Sequence, residues 1–294
     1  MLSRTFFGLR KGRCSRAGSH YRVGGETMSI SRFLKNMTVA VGVAAATLAA
    51  TTSANAVSLS EITARGKVKI GVLTGAPPMG MVDEKGNPSG YDVDVANLIG
   101  SYLSLPVELV PLTPPARIPA LQTGKVDFLV ATLAPTGERA KTVMFTQPYS
   151  AFNMDIISGK DQKFENLDSL KGKRVSVNRG SSQETALRKA NVEGLEIVVY
   201  EDDSTSAQAL LAGQVDAVAL PSTVGEAIIK QRPEAGLQVG FTFFQQGNSM
   251  ATKIEDFELR QWLNTSIYLM KMSGDLDRIS VKWTGRPLPQ LPSF

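Results

Sequence analysis

The chain has 294 residues, of which 43% are apolar and 20% charged, a composition typical of folded globular proteins. Its formal net charge of +5 comes from the N-terminus, because residues 1–56 hold eight of the 32 basic residues and one of the 27 acidic residues. The other 238 residues carry a net charge of −2, so they lack the basic excess that binds nucleic-acid phosphates, and we expect no nucleic-acid partner.

The N-terminal segment has, in order, the features of a bacterial secretory signal peptide. A cationic stretch from Met28 precedes an alanine-rich apolar run at 38–50, and an Ala-Asn-Ala cleavage site ends at residue 56. A buried core helix, the competing interpretation, explains neither the cationic flank nor the cleavage site. We predict that residues 1–56 are removed on export, with 1–27 lying upstream of an alternative start at Met28.

The single cysteine, Cys14, and the single histidine, His20, both lie in the segment predicted to be removed. The mature part would then have no disulfide, no cysteine nucleophile, no histidine-dependent triad and no zinc site of the usual Cys/His kind. We expect no metal and no cofactor. No apolar run after residue 56 reaches the roughly 18 uncharged residues that span a bilayer.

The mature sequence alternates short β-branched runs with helical stretches, which predicts an α/β architecture. The first half has predicted strands at 68–72, 107–110 and 128–130, helices at 91–103 and 117–122, a Gly/Pro-rich loop at 75–78 and a hairpin turn at 83–88. The pattern restarts around residue 151, with a polar connector at 160–165. Strands are then predicted at 175–177, 196–200 and 217–220 and from 237 onward. Helices are predicted from the turn at 180–182 through 189 and at 204–212, 224–230, 256–273 and 276–283.

Residues 120–127 resemble residues 209–216: each is a helix end, a glycine and an aspartate that opens a strand. Two similar α/β lobes would produce this repeat. Chance recurrence of a common helix–glycine–strand unit is the alternative.

A turn with possible anion-binding chemistry follows the apolar strand at 128–132. The sequence Pro-Thr-Gly-Glu-Arg ends at Arg139, and we expect a helix to start there, with its N–H groups forming an anion site. Arg139 could then donate paired hydrogen bonds to a carboxylate. A surface arginine paired with Glu138 is the alternative interpretation.

The second half has a comparable strand-to-helix turn at residues 180–184, Gly-Ser-Ser-Gln-Glu. The hydroxyls and N–H groups of Ser181 and Ser182 could meet the same anion from the other side. An ordinary helix N-cap with Glu184 is the alternative. Two such turns in two similar halves suggest a cleft between lobes.

Seven motifs occur in order across almost the whole mature chain: GYDVDVA at 90–96, RIPALQTGKVD at 117–127, PTGERAK at 135–141, FTQPY at 145–149, LKGKRV at 170–175, GSSQE at 180–184 and KWTGRPLP at 282–289. With them, residues 68–291 resemble the polar amino-acid-binding type, family 3, of the bacterial ABC-importer periplasmic solute-binding proteins. Each motif alone is weak evidence for this resemblance, but the seven motifs in this order are specific to the family.

The resemblance implies a two-lobed periplasmic-binding-protein type II fold of the α/β class, with hinge strands near 150–156 and 240–246. Lobe 1 would comprise 57–152 and 243–294, and lobe 2 would comprise 153–242. Such a protein works in the periplasm as a monomer. It closes over a small carboxylate-bearing solute, an amino acid or derivative, and delivers it to an ABC permease without catalysing a reaction.

The resemblance also implies the ligand contacts. Arg139 would bind the carboxylate, the Ala134 backbone would add a donor and Thr132 a hydroxyl, and the second lobe would supply Ser181 and Ser182.

Three positions depart from the family pattern. Pro221 and Leu73 stand where acids often hold the ligand ammonium, and Ala76 replaces a covering aromatic side chain. A buried ammonium without a partner would be costly. Either another acid takes over, with Asp83, Glu184 and Asp203 as candidates, or the ligand lacks a free α-ammonium.

Other charged and aromatic residues have competing interpretations. Arg117 either forms a lobe-surface salt bridge or reads a second anionic group in the cleft. Asp92 and Asp94 fit a structural role at a helix start, and Trp262 and Trp283 fit core packing.

Two other functions stay open. One is a dehydratase-like enzyme on the same fold with Glu184 as its acid, and the other is a free-standing sensor domain.

Overall fold

The computed structural model describes residues 59–291, so the predicted signal peptide, Cys14 and His20 lie outside the described residues. The helices are α1 (Leu59–Arg65), α2 (Tyr91–Leu103), α3 (Arg117–Gln122), α4 (Ser182–Ala190), α5 (Asp203–Leu211), α6 (Ser222–Gln231), α7 (Phe257–Met272) and α8 (Asp275–Thr284). None of the helices in this range is long and apolar enough to cross a membrane.

Ten strands alternate with these helices. They are β1 (Val68–Leu73), β2 (Met81–Val82), β3 (Pro88–Ser89), β4 (Val107–Leu112), β5 (Phe128–Leu133), β6 (Val143–Gly159), β7 (Arg174–Asn178), β8 (Glu196–Tyr200), β9 (Ala217–Pro221) and β10 (Leu237–Lys253). β2 and β3 form the predicted hairpin, and the other eight form one sheet in the order β4-β1-β5-β10-β6-β9-β7-β8.

The sheet consists of two parallel groups joined by two long antiparallel strands. β4, β1 and β5 run parallel at one side, and β9, β7 and β8 run parallel at the other. β6 and β10, 17 residues each, pair with each other along their length, and β10 contacts β5 while β6 contacts β9. The two paired strands therefore link one parallel group to the other. The lobe boundaries at 152–153 and 242–243 stay a prediction.

Burial on both faces explains why the short parallel strands read as continuous apolar runs. In β5 every residue from Phe128 to Leu133 is buried, and in β9 all five residues are. One apolar cluster packs α2 and α7 on β1 and β5, through side chains such as Ile99 and Leu263. Another packs α4 on β7 through Leu187 and Val177. These cores fix the strand ends, where the polar residues described below are placed.

Apart from the helix expected at Arg139, the predicted elements agree with the structure in type and order, but β6 extends much further than a restart near residue 151 suggests. Pro148, Asn153 and Asp155 interrupt the apolar alternation that marks a strand. The structure accommodates Pro148 opposite Ser249, at a shift in the β6–β10 register, because a bulge tolerates a residue that cannot donate a ladder hydrogen bond.

Candidate ligand-binding cleft

A small cavity lies between the two parallel groups of the sheet. Leu73, Thr132, Asn178 and Pro221 line it from the C-terminal ends of β1, β5, β7 and β9. In open α/β sheets, ligands bind outside the carboxyl ends of the strands. The cavity is therefore the candidate ligand site.

Four of the five predicted contact residues line this cavity together: Arg139, Thr132, Ser181 and Ser182. Ala134 does not line it. Its carbonyl instead accepts a hydrogen bond from Arg139 Nη1 at 2.9 Å, so its place is beside the arginine.

Arg139 bridges the two sides of the cavity. Its Nη1 donates to Ala134 O, and its Nη2 donates to the Gly180 carbonyl at 2.9 Å, on the far side. A guanidinium has five N–H donors, so these two bonds leave donors for a ligand. Burial lowers the pKa of Arg139, but an arginine stays charged at neutral pH. Glu138 pairs with Lys141 instead of with Arg139.

The helix expected at Arg139 is absent: the segment Arg139–Lys141 is a single 3-10 turn. The chain must re-enter the sheet at Val143, which leaves no room for a longer helix. The prediction of a helix N-terminus as the anion site is therefore wrong here, and the positive charge at this turn comes from the Arg139 side chain.

Ser181 and Ser182 have different roles. Ser181 caps α4, with Oγ accepting the Glu184 N–H at 3.0 Å. Ser182 Oγ donates to Gln246 Oε1. Gln246 lies in β10 and also donates to Asn248 Oδ1 at 2.7 Å, so the bond from Ser182 joins the start of α4 to β10. No sequence motif marks Gln246, and the sequence reasoning missed it.

Asp203 alone among the three candidate acids lines the cavity. It is 3% exposed at the first residue of α5, and Gln183 Nε2 donates to it at 3.3 Å. Burial raises the pKa of Asp203 to about 7, against the charge of Arg117, which lowers it. Asp83 lies in the exposed hairpin turn, and Glu184 accepts from the Gly180 N–H and from Arg188.

Asn178 adds an acceptor that the sequence reasoning missed. The side chain lines the cavity and is 4% exposed, and its Oδ1 is buried without a hydrogen-bond partner among the described residues. A buried acceptor without a donor is unfavourable, so this oxygen suits a ligand N–H or O–H.

Arg117 is part of the cavity wall, and the prediction of a lobe-surface salt bridge is wrong. The residue is 5% exposed, because α3 packs on the sheet and carries the side chain inward. Nε donates to Pro114 O and Nη1 to Ala131 O, both at 2.9 Å. Its guanidinium thus holds the end of β5 and adds a second positive charge near the cavity.

The remaining predicted residues support the frame around the site. Asp94 accepts hydrogen bonds from Lys282 Nζ and Trp283 Nε1, both at 2.6 Å. Trp262 and Trp283 are partly buried against the apolar cluster of α2 and α7. Asp92 is fully buried and accepts from Tyr149.

Direct contacts hold the cleft shut at both sides. Arg139 reaches Gly180 at one side. At the other, the Ser204 N–H donates to the Gly75 carbonyl at 3.0 Å, and Ser204 Oγ donates to the same carbonyl at 3.2 Å. Within residues 59–291, no three His, Cys, Asp or Glu side chains come together as metal ligands.

A protein-family model described as bacterial extracellular solute-binding proteins, family 3, matches residues 68–286. Among curated relatives, the L-cystine-binding protein TcyJ of Escherichia coli strain K12 is 26% identical over 229 residues, which cover 77% of this chain and 86% of the relative.

Solved structures agree with this match. An ancestral arginine-binding protein bound to arginine is 35% identical, with a TM-score of 0.71, and the match covers 74% of this chain and 98% of that one. An ancestral amino acid-binding protein, AncCDT-1, titled a precursor of cyclohexadienyl dehydratase, is 30% identical, with a TM-score of 0.72 and coverage of 77% and 99%. The type II fold expected from the sequence is confirmed.

Proposed function

The chain belongs to the bacterial extracellular solute-binding proteins of family 3, and on that premise we propose that it captures an α-amino acid in the cleft between β5 and β7. It acts as a monomeric receptor in the periplasm and presents the bound solute to an ABC permease. The lobes that close on the ligand comprise residues 57–152 with 243–294, and residues 153–242.

The observation that carries this proposal is that a half-buried arginine, Arg139, and a buried aspartate, Asp203, line one small cavity. Arg139 offers the ligand carboxylate N–H donors in a fork that matches the two carboxylate oxygens. The Thr132 side chain in the same wall supplies a hydroxyl.

The opposite wall accepts the amino group. Asp203 supplies a carboxylate, and Asn178 supplies an oxygen that has no other donor within the described part of the chain. An ammonium between them satisfies both acceptors, and it restores the charged form of Asp203 that burial disfavours. Asp203 thus replaces the acid that the family often has at the position of Pro221. The ligand can therefore carry a free amino group although that acid is absent.

The enzyme alternative loses its proposed acid. Glu184 accepts hydrogen bonds from the Gly180 backbone and from Arg188, and it does not line the cavity. The structure-based relatives include a precursor of a dehydratase, yet the side chains here offer an anion site and a cation site, which is what binding an amino acid requires.

The test of the carboxylate contact is isothermal titration of the mature protein with the L-amino acids, including arginine and cystine. We expect at least one to bind. Arg139→Ala should weaken that ligand at least about 30-fold, because removing one partner of a buried charge pair costs roughly 2–5 kcal/mol. Arg188→Ala, an exposed arginine on α4, serves as the control and should bind normally. If no amino acid binds, or if Arg139→Ala binds as well as the wild type, the proposal is wrong.

The test of the amine contact compares the best-bound L-amino acid with its 2-hydroxy acid, which carries a hydroxyl in place of the ammonium. The wild type should prefer the amino acid by about tenfold or more, since hydrogen bonds to charged groups contribute roughly 1.5–3 kcal/mol. Asp203→Asn should remove most of that preference. Asp161→Asn, an exposed acid, should keep it. An unchanged preference in Asp203→Asn would rule out Asp203 as the amine partner while leaving the carboxylate contact intact.

A further inference from the structure

Thr132 has an unusual backbone conformation at the cavity wall. Its φ is +42°, although it is a β-branched residue near the end of β5. Left-handed backbone is strained for such a residue, and strain of this kind persists only where the surroundings enforce it. The residue is 9% exposed and lines the cleft, so the strain is located at the site itself.

A buried relay holds the amide side of Thr132. The Thr132 N–H donates to Tyr149 Oη at 3.0 Å, and Tyr149 Oη in turn donates to Asp92 Oδ1 at 2.7 Å. The Tyr149 hydroxyl thus accepts from the Thr132 amide and gives its one proton to Asp92, so it uses both its acceptor and its donor capacity within the relay.

Neither Tyr149 nor Asp92 lines the cavity, and both are fully buried. The carbonyl side of this strand end has other partners, since Arg117 donates to Ala131 O and Gln246 to Thr132 O. The Thr132 amide, by contrast, is held by Tyr149.

The relay is costly for the core. Asp92 is a fully buried acid in an apolar cluster, and its second oxygen, Oδ2, has no hydrogen-bond partner among the described residues. An apolar pair of the same size would pack there without that penalty. The cost is explained if the carboxylate serves the conformation of Thr132.

We propose that Tyr149 and Asp92 are positioning residues for ligand binding, which hold Thr132 in its left-handed conformation before the ligand arrives. Neither touches the ligand. Pre-organisation of this kind raises affinity because the complex does not bear the cost of ordering the site. The inference rests on the proposed function, since the affected quantity is the affinity for the amino acid.

The test is Tyr149→Phe, which keeps the ring and removes the hydroxyl. We expect the Kd of the best-bound L-amino acid, measured by isothermal titration, to rise about tenfold while thermal unfolding stays cooperative. Tyr91→Phe is the matched control: the Tyr91 hydroxyl donates to Tyr149 O at 3.1 Å, and its loss should change the Kd less than about twofold. Asp92→Asn keeps an acceptor for Tyr149 and should bind nearly as the wild type does, whereas Asp92→Ala should resemble Tyr149→Phe.

A double-mutant cycle with Thr132→Gly separates positioning from general support of the core. Glycine adopts positive φ without strain. Tyr149→Phe should therefore change the Kd of the Thr132→Gly protein less than about twofold. An equal loss of affinity in both backgrounds, or no loss in Tyr149→Phe alone, overturns the positioning role. Failure of the wild type to bind any amino acid refutes the proposed function and therefore also the positioning role, which depends on it.

Discussion

Asp203 is a buried acid whose charge state controls what the cleft can bind. Burial raises its pKa to about 7, so the protonated and charged forms are both populated near neutral pH. Only the charged form attracts a ligand ammonium. Binding an amino acid must then lower the pKa of Asp203 and release a proton.

The affinity for the amino acid should therefore depend on pH. We expect the apparent Kd to rise about tenfold for each pH unit below about 7, because the ligand must compete with a proton on Asp203. Isothermal titration from pH 5.5 to 8.5 measures this dependence.

Asp203→Asn should abolish the slope. Asp92→Asn is the matched control, because burial raises the pKa of Asp92 to about 7 as well but Asp92 does not line the cavity. A slope that persists in Asp203→Asn would assign the titration to another group.

The residues of the site differ in how far the sequence reveals them. Arg139, Ser181 and Ser182 belong to motifs, Thr132 is implied by its place just before one of them, and the structure brings all four to one cavity. The presence of Asn178, Gln246 and Asp203 in this cavity depends on which strand ends meet in space. No local pattern marks them, because they are set by the sheet order and not by neighbours in the chain.

At the scale of elements, the loop after β1 and the N-terminus of α5 form a close contact across the cleft. Gly75 O accepts from Ser204, and a Cβ added to Gly75 would lie 2.3 Å from Asp202 Oδ2 and 2.6 Å from Asp202 Cβ. Asp202 cannot move aside freely, because its Oδ1 caps α5 by accepting the Thr205 N–H at 2.8 Å.

We predict that Gly75→Ala impairs closure and weakens amino-acid binding about tenfold or more. The added methyl group clashes with Asp202 in this closed arrangement, and we expect opening of the lobes to relieve the clash, so the thermal stability of the ligand-free protein should be unchanged within about 2 °C. Gly137→Ala is the control, since a Cβ there meets no atom within 4 Å. Normal binding by Gly75→Ala, measured by the same titration, would show that this contact does not limit closure.

The elements themselves are largely predictable. Helices α2 and α3 and strand β8 have the predicted bounds, because an amphipathic or β-branched pattern and a clear turn mark each one. The 3-10 turn at Arg139 and the length of β6 are not predictable in this way. Both depend on β6 pairing with β10, a partner about a hundred residues further along the chain.

For the whole molecule, two buried acids with raised pKa values connect stability to pH. Asp92 and Asp203 keep their protons up to about pH 7 in the folded protein, while in the unfolded chain they lose them near pH 4. Between these values the folded state binds more protons, so its stability falls as pH rises.

We therefore predict that the ligand-free protein is more stable at pH 5 than at pH 8, by an amount on the order of a few kcal/mol. Denaturant unfolding at the two pH values measures the difference. Asp92→Asn should reduce it, because the amide does not titrate. A stability that rises from pH 5 to pH 8 would contradict the burial of these charges. The expected rise of stability on acidification is opposite to the trend of ligand affinity, which should fall on acidification.

The position of β10 has a consequence for the order of folding. β10 is the last strand in the chain, yet it lies in the middle of the sheet, between β5 and β6. The sheet cannot be completed until residues 237–253 are available, and pairing between distant segments is slow. A nascent chain without this segment lacks the strand that joins β5 to β6. The proposed location in the periplasm requires the chain to cross a membrane as an extended polymer, and this delay would keep the chain extended until it has crossed.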